Sequence, residues 1–554
     1  HGHARTLAAK PLLQRTLAGE KRFRLLDTSR ECLGRVLAWG ISLRLRPDPA
    51  LRDRLIAELE NVCAFSDWHP QHFLDTAEMT AAVAIGYDWL HDSLDAGTRA
   101  RLRDRLVTLG LRPSLETTGF WVSGNNNWNQ VCHGGSVLGA LAVADDEGDL
   151  ARALVHRALR ETASGLHAYA PSGVYPEGPG YWAYGTAYTV LTAAALTSAL
   201  GDDRGLSRAP GFRESFTWFD QIRGPIGLVF NYADGSANAS PSPWHGWAAR
   251  AWDQPDFLAG FHVTVERILA GSHARDRFWP LAALWYAPPT SGTVAATDFV
   301  AGEPSPVQLA LFRSGNDQDA SFVGLKGGSL RINHGHLDAG GFVFDALGER
   351  WAHEFTAERE IYDRTDSWAT DQGSRRWSYF RANNHGHNTL SIGGAIQRVA
   401  GSNPLIASHA GADRAYAVVD LGAAYAGQAT SVRRGAALVG DRRCLLLRDE
   451  IAGAAGAVRW TLITRAEVAI GDGTATLTQN GRTLALRLLV APAQTRLSVI
   501  DCTPPTAVED PNEGFQRICI DIADPPTDLV LSVALVPEGC ALPADADRPL
   551  ADWR

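Results

Sequence analysis

Two short histidine clusters carry the densest potential for chemistry. Asn333-His334-Gly335-His336-Leu337-Asp338 places two imidazoles close to a carboxylate, and Asn384-His385-Gly386-His387-Asn388-Thr389 repeats the pattern further along. Side chains alternate along an extended segment, so His-x-His predicts two rings on one face of a strand. Two such pairs from different strands could converge on a metal ion or on a substrate proton. Zinc suits the set, because it takes His nitrogens and Asp or Glu oxygens in a tetrahedron. Asp338 and Glu354, the latter within Trp351-Ala352-His353-Glu354, are the carboxylate candidates. The plainer alternative is that these rings only hydrogen-bond across strands.

Two further segments have the composition of a sugar site. Ser123-Gly124-Asn125-Asn126-Asn127-Trp128-Asn129-Gln130 gathers five amides around one indole. Amides donate and accept, which suits sugar hydroxyls or a carboxylate that needs neutral donors; the same composition also makes a polar turn. In Ser172-Gly173-Val174-Tyr175-Pro176-Glu177-Gly178-Pro179-Gly180-Tyr181, Pro and Gly restrain the backbone, and Tyr181, Tyr184 and Tyr188 follow at helical spacing. Such tyrosines usually pack, but one beside a cation or amide can move a proton.

The elements that must position these residues fall into two classes. The segments 51–62, 75–94, 97–109, 150–168 and 184–200 carry apolar residues at helical spacing and are rich in Ala and Leu. From 307 onward the period becomes two, with strands predicted at 307–312, 321–326, 341–347, 415–421, 444–448, 474–479, 483–490 and 529–536. The expected fold is multidomain α+β: an N-terminal α/α toroid over 1–286, a linker over 287–306 and an antiparallel β-sandwich over 307–554.

Composition narrows the partners. With 554 residues and 20% charged side chains the chain reads as a multidomain globular enzyme. A net charge of -9 argues against nucleic acid, without excluding an acidic glycan in a locally basic groove. No apolar run is long enough to span a membrane. The chain begins His1-Gly2-His3 and its one methionine is Met79, so a trimmed leader and a periplasmic or secreted location are expected. Seven scattered cysteines predict mostly buried thiols, with at most one bridge among Cys502, Cys519 and Cys540.

Taken in order, these stations resemble the heparinase II/III-like polysaccharide lyases, a family that includes heparin and heparan sulfate lyases and several alginate lyases. The resemblance rests on Asp67-Trp68 with Phe73-Leu74-Asp75-Thr76-Ala77-Glu78 and Tyr87-Asp88-Trp89-Leu90, then Asn126-Asn127-Trp128, then Glu177-Gly178-Pro179-Gly180-Tyr181. It continues through His334-Gly335-His336-Leu337-Asp338 with Phe342 and the run from Gly348 to Glu354, and ends on His387-Asn388-Thr389-Leu390 with Gln397. It implies β-elimination at a uronic acid. Asn127 would neutralise the substrate carboxyl group, Tyr181 would protonate the leaving glycosidic oxygen, and His334 would serve as base or carboxylate partner. Asn126, Trp128, Glu177, Tyr184, Arg376 and His385 would line the substrate, with Tyr362 or Tyr379 as an assisting tyrosine. A structural zinc would be held by His336, Glu354 and His387. The chain departs from the family where Trp128 replaces a His that several relatives carry, and where Glu354 replaces a common Asp.

The implied partner is an acidic polysaccharide or oligosaccharide, alginate and heparan sulfate being equally compatible; a homodimer stays open. Arg375, Arg376, Arg381 and Arg364 are candidate anion anchors. Two rival readings remain: a toroidal glycoside hydrolase using Glu177 and Asp234 as acid and base, and a glycan-binding protein without turnover.

Overall fold

The structure is a computed structural model that describes residues 1–19, 23–271, 276–288, 296–355, 367–544 and 546–553. Helices occupy the N-terminal half and antiparallel sheets the C-terminal half. The chain divides into two compact units that are not contiguous in sequence. The first comprises His1–Ala170, Tyr181–Phe216 and Ser240–Val294, and the second Pro171–Gly180, Thr217–Ala239 and Ala295–Arg554. A single cut at 287–306 therefore misplaces two segments. The stretch from 217 to 239 belongs to the second unit because its backbone is used there: Arg350 Nη1 donates to Val229 O at 2.7 Å, Arg313 Nη2 to Gln221 O at 2.6 Å, and Asn231 Nδ2 to Glu354 O at 3.1 Å.

In the first unit the helix Phe73–Leu90 buries sixteen of its eighteen residues. A helix apolar on all sides belongs inside a bundle, and it packs between Leu26–Leu45 and Asn127–Ala142. The next layer, Gly148–Leu166, is amphipathic instead, with Ala151, Leu154, Ala158, Thr162 and Gly165 on its buried stripe. Asp48 caps Pro49–Cys63 by accepting from Leu51 N, with Pro49 in the first turn where its missing N–H costs nothing. The predicted helices are present with shifted ends; 75–94 stops at Leu90, and 97–109 stops at Leu106 and passes into a π turn. The expected polar loop 123–130 is cut short, because Asn126 is an N-cap and the helix begins at Asn127. Among the described residues no helix is long and apolar enough to cross a membrane.

The second unit holds three antiparallel sheets. The first orders Phe299–Ala301, Val307–Arg313, Phe322–Ser329, Phe342–Ala346 and Glu349–Ala352 side by side, with Ser402–Asn403 also pairing with Phe322–Ser329. An eight-stranded sheet runs from Glu467–Gly471 at one edge to Leu405–Ala410 at the other, and a four-stranded sheet orders Arg496–Asp501, Gln516–Ile522, Val458–Thr464 and Leu390–Ile392. One continuous core, including Phe342, Phe344, Trp351, Leu390, Leu447, Trp460 and Leu531, is fed by all three. All seven cysteines are free thiols, so the bridge allowed among the last three does not form.

Candidate functional site

The two histidine pairs do not lie on strands, and each pair splits. His334 has a left-handed backbone, with φ at +58°, and sits in a turn-rich loop before the strand Phe342–Ala346. Asn384–Gly386 is a single 3-10 turn. Gly335 is required at the first site, since a Cβ there would lie 2.6 Å from Ile332 Cγ1 and 2.9 Å from Leu330 O. The expectation of same-face rings along a strand is thus corrected: turns send neighbouring histidines to different partners.

His334 goes to Glu177. Its Nδ1 lies 3.0 Å from Glu177 Oε2, to which Asn333 Nδ2 also donates at 3.3 Å, and both side chains are buried. A carboxylate accepts, so Nδ1 carries the hydrogen of this bond. Glu177 is held there by the left-handed Gly178, at φ +86°, where a Cβ would come within 2.5 Å of Tyr232 O. Trp368 packs edge-on to the His334 ring with centroids 5.6 Å apart.

His336 goes to Asp234, its Nε2 lying 2.8 Å from Asp234 Oδ1. Arg376 braces both: its Nη2 donates to Asp234 Oδ1 at 2.8 Å and to His334 O at 3.1 Å, and its Nε to Gly335 O at 2.9 Å. Burial alone would raise the Asp234 carboxyl, but Arg376 and His336 outweigh it and hold it well below the usual range. Burial takes His336 down to about 4 despite Asp234, so its ring is neutral. Arg376 is almost fully buried in these bonds. It is a brace and not the substrate anchor expected of it.

His387 comes from the second cluster to meet His336, with ring centroids 5.1 Å apart. Its Nδ1 hydrogen-bonds Glu354 Oε2. Burial opposes the charged ring, yet Glu354 raises His387 above its ordinary value, while burial pushes Glu354 up. Two buried ring nitrogens, His336 Nδ1 and His387 Nε2, have no hydrogen-bond partner. Asp338 stands beside these rings, ion-paired to Lys326 and held low against its burial by that cation and by both imidazoles. Among the described residues no group of three or more His, Cys, Asp or Glu is arranged as a metal site. The expected ligand Glu354 is bonded to His387 instead.

The remaining polar residues of the second cluster lock the loop. Asn388 Nδ2 donates to Phe342 O and to His353 O, each at 2.7 Å, and its Oδ1 accepts from Ile463 N at 2.6 Å. Gln397 clasps Ala339 through N–H and C=O, both at 3.0 Å. His385 turns away, half-buried, with its carbonyl accepting from Arg517. Tyr379 is buried in the core. Arg381 is buried against Asn512. Tyr362 and Arg364 lie outside the described residues.

In the first unit Asn127 is fully buried at the first turn of its helix, and Asn126 Oδ1 accepts from Trp128 N at 3.1 Å. Trp128 is half-buried, edge-on to His72 at 4.8 Å and beside exposed Phe120 at 5.0 Å. Of the other amides, Asn129 and Gln130 are structural, donating to Trp121 O and Val122 O and to Tyr169 Oη. Tyr181 is half-buried in the first turn of Pro179–Leu200. Tyr184 is committed elsewhere: its hydroxyl donates to Glu78 Oε1 at 2.7 Å, which also takes Arg30 at 3.1 Å and Arg277 at 2.7 Å. Burial and Glu78 push its hydroxyl far up.

Sequence reasoning missed the brace Arg376–Asp234 and the pair His69 and His72 on buried Asp75, at 2.8 and 2.6 Å. Asp234 stood out only as a loop acid, because its partners lie more than a hundred residues away in the chain.

No protein-family model matches the sequence, and no curated protein sequence matches it. Solved structures do. A mutant of the heparan sulfate lyase HepC from Pedobacter heparinus aligns over 97% of this chain and 83% of its own, with a TM-score of 0.63 and 11% identity. A heparinase III gene product aligns over 93% and 78%, with a TM-score of 0.60 and 12% identity. The chondroitin AC lyase of Streptomyces coelicolor A3 aligns over 97% and 78%, with a TM-score of 0.52 and 16% identity. The helices-then-sheets architecture of this chain is therefore a fold it holds in common with each of these three lyases.

Proposed function

We propose that the protein is a polysaccharide lyase that cleaves a uronic-acid-containing glycan by β-elimination. The observation that carries this reading is the buried Glu177–His334 pair in a chain that shares its fold with lyases. The helical half is read as an α/α toroid and the other half as a β-sandwich. In the reaction the C5–H bond breaks, its proton passing to a base, and the electron pair forms the C4=C5 double bond. The C4–O bond breaks, and the leaving oxygen takes a proton from Tyr181. Asn127 is assigned to the substrate carboxyl group, where a neutral donor stabilises the enolate-like charge that develops. His334, its tautomer set by Glu177, is assigned as base or as second carboxylate partner according to the epimer cleaved.

A structural zinc fits this reading. His336 Nδ1 and His387 Nε2 are the two donors that would hold it, with Asp234 and Glu354 orienting the rings from their far sides. When bound, the metal would tie the two histidine loops together, and proton transfer belongs to the chain's own residues. The hydrolase alternative is disfavoured because the solved structures that share this fold carry the names of lyases. An acidic polymer as substrate implies a periplasmic or secreted enzyme.

The test is absorbance of the conjugated unsaturated uronate during incubation with alginate, glucuronan, heparan sulfate, hyaluronan and chondroitin. A rise on one member is expected. New reducing ends without absorbance would make the protein a hydrolase, and binding without either product would make it a glycan-binding protein.

A further inference from the structure

The four-stranded sheet of the second unit carries a group of arginines that the proposed reaction does not use. Val458–Thr464 pairs with Gln516–Ile522 so that Ile463 lies opposite Arg517 and Thr464 opposite Gln516. Residues two apart on a strand share a face, so Arg465, just past the end of its strand, falls on the same face as Ile463, Phe515 and Arg517. Both guanidinium groups lie over aromatic rings: Arg465 is 4.3 Å above Phe515, and Arg517 is 4.9 Å above Phe380. The rings form one cluster through Phe355, at 4.9 Å from Phe515 and 6.0 Å from Phe380. A third cation, Arg381, stacks on Phe355 but is spent on Asn512 and Asp510. Arg465 is exposed and forms no ion pair among the described residues. Arg517 is half-buried and, among the described residues, gives hydrogen bonds to the carbonyls of Asp501 and His385.

A guanidinium seated over a ring loses little further freedom when its remaining N–H groups bind a carboxylate or sulfate, the anions that guanidinium groups hold best. An arginine meant only for solvation needs neither a ring beneath it nor a second arginine on the same face. We infer that Arg465 and Arg517, seated on Phe515 and Phe380, form an anion-binding surface that holds the sulfate or carboxylate groups of a polysaccharide chain. That the anion belongs to a polysaccharide rests on the function proposed above; the anion site itself rests on the geometry.

The test is equilibrium binding of the full chain to heparin (sulfated) and to glucuronan (carboxylate only), at low and at physiological salt. Arg465→Glu is the main variant, because an exposed side chain can be reversed without disturbing the core. Arg517→Gln is the second, and Arg152→Glu, an exposed arginine of the first unit, is the charge-matched control. Arg465→Glu is expected to raise the Kd about 10-fold, a change worth one charge-assisted hydrogen bond, while the control leaves it unchanged. Loss on heparin alone assigns the site to sulfate, and equal loss on both polymers assigns it to any sugar-borne anion. If Arg465→Glu binds both polymers as the control does, or if the wild type binds neither, the site does not exist. Unsaturated-uronate absorbance, read in parallel, reports the lyase reading separately, so either can fail alone.

Discussion

At the scale of single residues, chemistry is set by which nitrogen of each histidine is already occupied. Glu177 takes Nδ1 of His334, Asp234 takes Nε2 of His336, and Glu354 takes Nδ1 of His387. Replacing Glu177 by Gln keeps the shape but lets an amide N–H face the ring, which favours the wrong tautomer. The expected result is a kcat lower by about 10²-fold with KM within a few-fold, read from steady-state absorbance. Tyr181→Phe is expected to lower kcat by roughly 10²–10⁴-fold while affinity for uncleaved oligosaccharide survives. Full activity in that variant would move the role to Tyr184, which donates to Glu78, or sink the scheme. The clusters were legible as sites because His-x-His beside a carboxylate is rare. Their partners were not, since Glu177, Asp234 and Arg376 are brought to them only by folding.

At the scale of elements, two buried polar side chains show what holds the site and what titrates it. Asn388 satisfies two carbonyls and one N–H from three separate segments. Asn388→Ala would leave those groups buried and unpaired, and a loss of roughly 3 kcal/mol is expected from denaturant unfolding, with normal stability as the contrary result. His133, inside the helix Asn127–Ala142, donates from Nε2 to Val122 O at 2.9 Å, and burial lowers it from 6.5 to about 4. A base whose folded value is depressed is protonated first in the unfolded chain. Its contribution is therefore complete above about pH 6.5 and is lost as pH falls from there toward 4, by at most roughly 3 kcal/mol. Melting temperature against pH should show this slope, and His133→Gln should flatten it. Helices with one apolar stripe, such as Gly148–Leu166, were readable in the sequence. Val458–Thr464 and Gln516–Ile522 were passed over, because short mixed runs have no distinctive period until a partner strand is known.

At the scale of the whole molecule, two units with separate cores predict that a bound zinc stabilises one more than the other. Zinc at about a hundred times its Kd is expected to add about 2.7 kcal/mol to the unit that contains His336 and His387, seen as a shift of one calorimetric transition. Metal analysis should give one zinc per chain, removed with the shift by a chelator. Glu354→Gln is expected to keep the metal at 10–100-fold weaker affinity, as an outer carboxylate would. Loss of all zinc binding in that variant would return Glu354 to the ligand set, and no zinc in the wild type would dismiss the site.

The sequence by itself determined the two structural classes and the order of helices before strands, because periodicity and turn residues are local properties. Tertiary structure alone decided that each His-x-His pair divides, that 217–239 joins the second unit, and that Arg376 braces the site without being free for an anion. Those outcomes depend on buried charges finding partners far away in the chain, where an unpaired ion costs several kcal/mol. No local pattern records which partner is found.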